Sequence, residues 1–126
     1  MHRQTVATDA VPKAVGPYSQ AVWAGDILFC AGQIPLDPVT GNMVAGGIAE
    51  QTTRVLENLR ALLRSQNLDL ANVVKTTVFL TDLNNFAAMN AAYARFFAQA
   101  PPARSTLQVT RLPKGALVEI EAIACR

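Results

Sequence analysis

Pro102-Ala103-Arg104-Ser105-Thr106-Leu107-Gln108-Val109 and, beyond a Pro113-Lys114-Gly115 turn, Leu117-Val118-Glu119-Ile120-Glu121-Ala122-Ile123-Ala124 form the stretch on which the fold turns. Pro101 and Pro102 end the preceding element, because proline neither continues a helix nor donates to a sheet ladder. Two extended segments around a turn read as a hairpin. Alternation puts Arg104, Thr106 and Gln108 on one face of the first strand and Ser105, Leu107 and Val109 on the other. In the second strand it groups Leu117, Glu119, Glu121 and Ile123 against Val118, Ile120, Ala122 and Ala124. Two carboxylates thus share a face with apolar side chains, and a carboxylate taken out of water needs a partner. Two readings stand for Arg104: a structural ion pair with one of these acids, or a guanidinium whose planar fork of donors meets the carboxylate of a ligand.

Working outward, the chain of 126 residues is read as one domain, 1–126, long enough to bury a core without disulfides or metals. Apolar residues make up 51% and charged ones only 16%, so part of the surface is expected to be covered by something other than water. A net charge of +2, with basic residues scattered, argues against a dedicated nucleic-acid face. No apolar run has signal-peptide or membrane-spanning length, and a cytoplasmic protein without membrane association is expected. Cys30 and Cys125 have no spacing motif and read as lone thiols. The single histidine, His2, is terminal, where neither a base nor a metal ligand is expected.

The other elements follow from period and punctuation. Arg3 to Val6 reads as an edge strand, Val15 to Gln20 as a turn, and Ala21–Ala24 and Ile27–Ala31 as a hairpin closed by Gly25-Asp26 and stopped at Gly32-Gln33-Ile34-Pro35. Turn chemistry fills Asp37 to Asn42. After the Gly46-Gly47 loop, Ile48, Val55, Leu56, Leu59, Leu62 and Leu63 form a helical stripe, with Arg54, Glu57, Asn58 and Arg60 outside it. Val73 to Leu80 reads as a strand in which Lys75 and Thr77 alternate against Val74, Thr76 and Val78. Asp82 to Asn85 caps a second helix with the stripe Phe86, Met89, Tyr93, Phe96 and Phe97. Asn90 falls inside that stripe, as a core amide bonded to backbone or as a ligand contact.

The sum is an α+β domain: a mixed, largely antiparallel sheet with two helices on one face. Several strands are apolar on both sides, as Ile27 and Phe29 against Leu28 and Cys30 show. The face left bare predicts a homo-oligomer. Phosphate-loop spacing, a Ser nucleophile in a strand-to-helix elbow, a Cys/His pair and a metal-ligand set are all absent. What remains (Arg104, Glu119 or Glu121, Tyr18, Asn90) suits holding a carboxylate and placing a water.

The runs Gly16-Pro17-Tyr18-Ser19-Gln20, Gly32-Gln33-Ile34-Pro35, Val74-Lys75-Thr76-Thr77-Val78, Pro102-Ala103-Arg104-Ser105 and Leu112-Pro113-Lys114-Gly115, with Glu119-Ile120-Glu121-Ala122, closely resemble the Rid family of reactive intermediate deaminases, the YjgF type. The likeness spans essentially the whole chain. It implies a chorismate mutase-like domain, a homotrimer with a pocket at each subunit interface, and hydrolysis of 2-imino acids and their enamine tautomers, such as 2-aminoacrylate and 2-iminobutanoate, to 2-oxo acids and ammonia. No metal or cofactor is implied. Carried over by position, Arg104 binds the substrate carboxylate, Glu119 handles the attacking water, Tyr18 forms an aromatic wall and Asn90 lines the pocket. Glu121 is read as structural, with Lys75 as a possible partner. Two positions depart from the family pattern: Ala31 stands where many members have Ser, and Thr106 where many have Cys, with the backbone groups of both still available to a small ligand. A non-catalytic carboxylate-binding trimer of regulatory or chaperone-like role is the competing expectation; ribonuclease activity finds little support in the weak charge and the absence of base-stacking aromatics.

Overall fold

The computed structural model describes residues 3–126, so the expectation for His2 lies outside the described residues. Six strands, β1 (Arg3–Val6), β2 (Ala21–Ala24), β3 (Ile27–Gln33), β4 (Val73–Leu80), β5 (Ala103–Gln108) and β6 (Val118–Cys125), form one mixed sheet in the order β1-β2-β3-β6-β4-β5. Two helices, α1 (Ile48–Arg64) and α2 (Phe86–Ala94), cover one face. The architecture is the α+β arrangement expected from the sequence.

The reading of the C-terminal stretch as a hairpin is corrected. β5 and β6 are not neighbours: β4 lies between them, parallel to β5 and antiparallel to β6. Composition explains the order. Val118, Ile120, Ala122 and Ala124 of β6 are all buried under the helices, which suits a strand at the middle of the sheet. β5 starts at a proline pair and carries Arg104, Thr106 and Gln108 on its helix side, which suits an edge.

Three further readings change in detail. β3 continues through Gly32 and Gln33 across a register shift after Cys30, where a bulge absorbs the glycine. A second shift, between Val73 and Lys75, turns Val74 outward to 48% exposure, away from Thr76 and Val78. α2 ends at Ala94, so Phe96 and Phe97 follow the helix rather than extend its stripe, while Phe86 stays exposed at its start.

The core forms where α1 lies on β6 and β3. Val55, Leu56, Leu59, Leu62 and Leu63 are fully buried and share one core cluster with Leu28, Val78, Val118 and Ile120 of the sheet. Gly47 caps α1, its N–H donating to Glu50 Oε1 at 2.8 Å. Asn58, expected outside the stripe, is fully buried: its Nδ2 donates to the Leu36 carbonyl at 2.9 Å and its Oδ1 accepts from Arg54 Nε at 3.1 Å. These bonds tie the loop after β3 to the helix. Leu59→Ala is expected to destabilise the fold by about 2–5 kcal/mol, read as a lowered denaturant midpoint with an unchanged slope.

The other face is bare. Ile27, Phe29, Val74 and Leu107 stand exposed on it, as two-sided strands require. Among the described residues, no helix is long and apolar enough to cross a membrane.

Candidate active site

Arg104 lies on β5 directly opposite Thr76 of β4, on the face that the helices cover. Its side chain emerges at the sheet margin, where α2 brings two rings beneath it: the guanidinium carbon sits 4.8 Å from the Tyr93 ring centre and 5.6 Å from that of Phe86. The ion pairs among the described residues, Arg54–Glu57, Arg64–Asp69 and Arg126–Asp26, all lie elsewhere, and no protein acceptor takes a hydrogen bond from Arg104. Guanidinium stays charged at any ordinary pH. Among the described residues the half-buried cation is held by two π-faces, with its N–H fork left available. Asn90, Tyr93, Ala94, Phe97 and Pro102 line the shallow cleft around it.

Tyr93 is itself fixed. Its hydroxyl shares a 2.7 Å hydrogen bond with the buried hydroxyl of Thr76, and its ring centre lies 4.7 Å from that of Phe97. Burial raises the Tyr93 pKa, against smaller lowering effects of the Thr76 bond and the Arg104 charge.

Glu119 lies on β6 opposite Phe79, on the bare face. It lines a cleft of about 570 Å³ with Tyr18, Ala31, Gly32, Gln33, Ile34 and others. A pocket this size accommodates a small organic acid. The carboxyl packs so closely over Gly32 that a Cβ there would overlap Oε2 and come within 2.8 Å of Cδ. Partial burial, helped by the negative charge of Glu121, pushes the Glu119 pKa up. Such a carboxyl exchanges a proton nearer neutrality than a solvated one.

Tyr18 stands on the rim, 53% exposed, its hydroxyl accepting a long 3.3 Å bond from the Val15 N–H. The turn that presents it is pinned by Gln20, whose buried amide accepts from the Thr8 N–H at 2.7 Å and donates to the Thr8 and Pro12 carbonyls at 3.1 and 3.0 Å.

The structure thus sorts the expected residues into two groups. Tyr18, Ala31 and Glu119 share the larger cleft; Asn90 and Arg104 share the smaller one; Thr106, two residues beyond Arg104 on the same side of β5, lines neither. Asn90 Oδ1 and Thr106 Oγ1 are buried and have no hydrogen-bond partner among the described residues. An ion pair of Arg104 with Glu119 or Glu121 is ruled out within the chain, because the arginine and the acids occupy opposite faces of the sheet. Nor does Lys75 pair with Glu121: its ammonium donates to Ser105 Oγ at 2.9 Å.

Three residues were missed as contributors. Helical period places Tyr93 only in the apolar stripe, and the signal for more is the Thr76–Arg104 register, which a single strand does not disclose. Gly32 reads locally as a strand stop, and its close approach to Glu119 needs the sheet order. Gln20 was part of a quoted motif, but nothing in its spacing announces the loop it holds. Cys30 is buried and its thiol is pushed up to about 12 by desolvation, which fits an inert core group. No cluster of three or more potential metal ligands occurs among the described residues.

Known proteins share this arrangement along the whole chain. A family model described as Endoribonuclease L-PSP matches residues 8–126. Protein DfrA of Myxococcus xanthus is 54% identical over 98% of this chain and 96% of its own length. The human 2-iminobutanoate/2-iminopropanoate deaminase is 44% identical over 97% of this chain and 89% of its own. The crystal structure of the YjgF gene product of Escherichia coli superposes with a TM-score of 0.93 at 45% identity, covering 98% of each chain. A match of this breadth, on the six-strand sheet and with the quoted motifs in place, means that the chain belongs to the Rid family, the YjgF and L-PSP type.

Proposed function

We propose that this protein hydrolyses 2-imino acids and their enamine tautomers to 2-oxo acids and ammonia, in pockets shared between neighbouring chains of a homotrimer. The observation that carries the reading is Arg104, a half-buried cation over Tyr93 that no carboxylate among the described residues neutralises. A guest carboxylate supplies what is lacking through two parallel charge-assisted bonds. The human relative's name points to the same chemistry.

Arg104 and Glu119 face opposite sides of one sheet, so one chain cannot place both on one small substrate. A neighbouring copy can, and the bare apolar face carrying Ile27 and Phe29 supports such a neighbour. With the carboxylate held by Arg104 of one chain, C2 of the imine lies before a water at Glu119 of the next. Glu119 accepts a proton as the water oxygen bonds to C2 and the C=N π electrons move to nitrogen. Glu119 returns that proton to the nitrogen, giving the neutral carbinolamine; as the C–N bond then breaks, Glu119 passes the carbinolamine's hydroxyl proton to the departing nitrogen, which leaves as ammonia while the C=O forms. Tyr18 and the apolar wall at Ala31 and Ile34 shield the pocket. Activated imines already react with water, so positioning and one proton-transfer group, worth on the order of 10²–10⁴-fold, suffice without a metal or cofactor. Two unpaired cysteines suit a reducing, cytoplasmic setting.

The test is a coupled assay: a threonine or serine dehydratase generates the intermediate, and 2-oxo acid release is followed with and without this protein. Acceleration supports the proposal. Binding of 2-oxobutyrate with no rate effect would replace it with the non-catalytic carboxylate binder, the reading that the missing hydroxyl at Ala31 favours.

Gly32→Ala probes the Glu119 side independently of charge. The added methyl pushes a flexible side chain rather than backbone, so the carboxylate swings away while the fold persists. The expected result is a fall of about 10- to 100-fold in kcat/KM with little change in the unfolding midpoint. A wild-type rate would mean that the Glu119 carboxylate need not sit over residue 32.

A further inference from the structure

We infer that Tyr93, tethered by the Thr76 hydroxyl, is the positioning residue that sets the direction of the Arg104 guanidinium for a substrate carboxylate. The inference rests on the carboxylate-binding reading of Arg104 and goes beyond it, by naming what aims the fork.

A cation on an edge strand has many rotamers, and one that must meet a carboxylate with two parallel bonds needs most of them removed before the ligand arrives. An acidic neighbour would restrict it, but by occupying the very N–H groups the ligand requires. An aromatic face restricts it differently: attraction to the ring acts on the charge while the donors stay free. Arg104 has the second kind of support, 4.8 Å over Tyr93 with Phe86 at 5.6 Å.

The support is braced from behind. Thr76 is fully buried and sits directly across the ladder from Arg104, so the residue that holds the tyrosine and the residue the tyrosine holds are a facing pair on adjacent strands. The 2.7 Å bond between the two hydroxyls fixes how far the ring tilts, and Phe97 closes its side at 4.7 Å. Burial alone does not call for this bond. A Val and a Phe of the same shapes would fill the space with no hydroxyl to satisfy, at nearly equal stability. What the hydroxyl pair adds is a single ring orientation beneath the guanidinium.

The test compares Tyr93→Leu, Tyr93→Phe and Thr76→Val in the dehydratase-coupled assay and by calorimetric titration with 2-oxobutyrate, each also in an Arg104→Ala background. Tyr93→Leu is expected to weaken 2-oxobutyrate binding and raise KM by about 3- to 30-fold, the range of a cation–π contact, with kcat changed much less. Tyr93→Phe, which keeps the ring and loses the tether, should fall between wild type and Tyr93→Leu, and Thr76→Val should match it. In the Arg104→Ala background these substitutions should cost nothing more in kcat/KM, because they act through the guanidinium. Wild-type binding by Tyr93→Leu, or losses that add to that of Arg104→Ala, would overturn the inference. Should Tyr93→Leu fail to fold, wild-type binding by both Tyr93→Phe and Thr76→Val would overturn it equally. If Arg104→Ala abolishes binding while the Tyr93 variants leave it intact, this inference alone falls; if Arg104→Ala itself binds 2-oxobutyrate normally, the parent reading falls as well.

Discussion

Arg104→Ala is expected to lower kcat/KM for 2-imino acids by at least about 100-fold, leaving a small residual acceleration in the coupled assay, while the unfolding midpoint and the oligomer stay unchanged. The size follows from two charge-assisted bonds, each worth about 1.5–3 kcal/mol. Both are lost together, along with the placement of C2 before the water. Folding should be indifferent, because Arg104 makes no ion pair or hydrogen bond among the described residues and its aliphatic stem lies on an edge strand. Arg104→Lys is a sharper control. It keeps the charge but not the planar fork, and should recover only a minor part of the rate. An Arg104→Ala variant with a kcat/KM near that of wild type would end the assignment.

Glu119→Gln is expected to cost about 10²–10⁴-fold in kcat/KM with substrate binding largely kept, since amide and carboxyl have the same shape but only the carboxyl moves a proton. The pH profile separates this from steric damage. Glu119 works as the carboxylate, and burial with the Glu121 charge raises its pKa, so wild-type activity should fall on acidification at a higher pH than a solvated glutamate would give. Glu119→Gln should lack that limb. The same group sets a stability trend of known sign. Its folded pKa is the higher one, so between the unfolded and folded values the folded chain binds more protons. Stability is then greatest below this window and declines as pH rises through it. Chemical denaturation across the acid range should show that decline in wild type and not in Glu119→Gln. A decline of equal size in both would assign it to another group.

How much of this was legible beforehand depended on how local each cause is. The stripe Val55, Leu56, Leu59, Leu62 and Leu63 announces α1 because every fact behind it lies within one helix. Asn58, on the same helix, was misread because the carbonyl that accepts from it belongs to Leu36, twenty-two residues away. The C-terminal hairpin failed for a related reason. Alternation says which residues share a face but not which strand lies beside which, and the apolar inner side of β6 competes for the centre of the sheet against its sequence neighbour. Arg104 and Glu119 were found as chemistry out of place and through motif resemblance. That they face opposite ways follows only from register, Arg104 against Thr76 and Glu119 against Phe79.

The position of β6 also bears on how the protein is made. The strand synthesised after the other five belongs at the middle of the sheet, between β3 and β4. Without Val118 to Cys125, the edges of β3 and β4 that pair with β6 in the fold have no neighbour, and α1 lacks the strand on which it mainly packs. Folding is therefore completed after translation of that segment, through contacts of long sequence separation, and a nascent chain stalled before it presents sticky strand edges that a holdase chaperone would recognise.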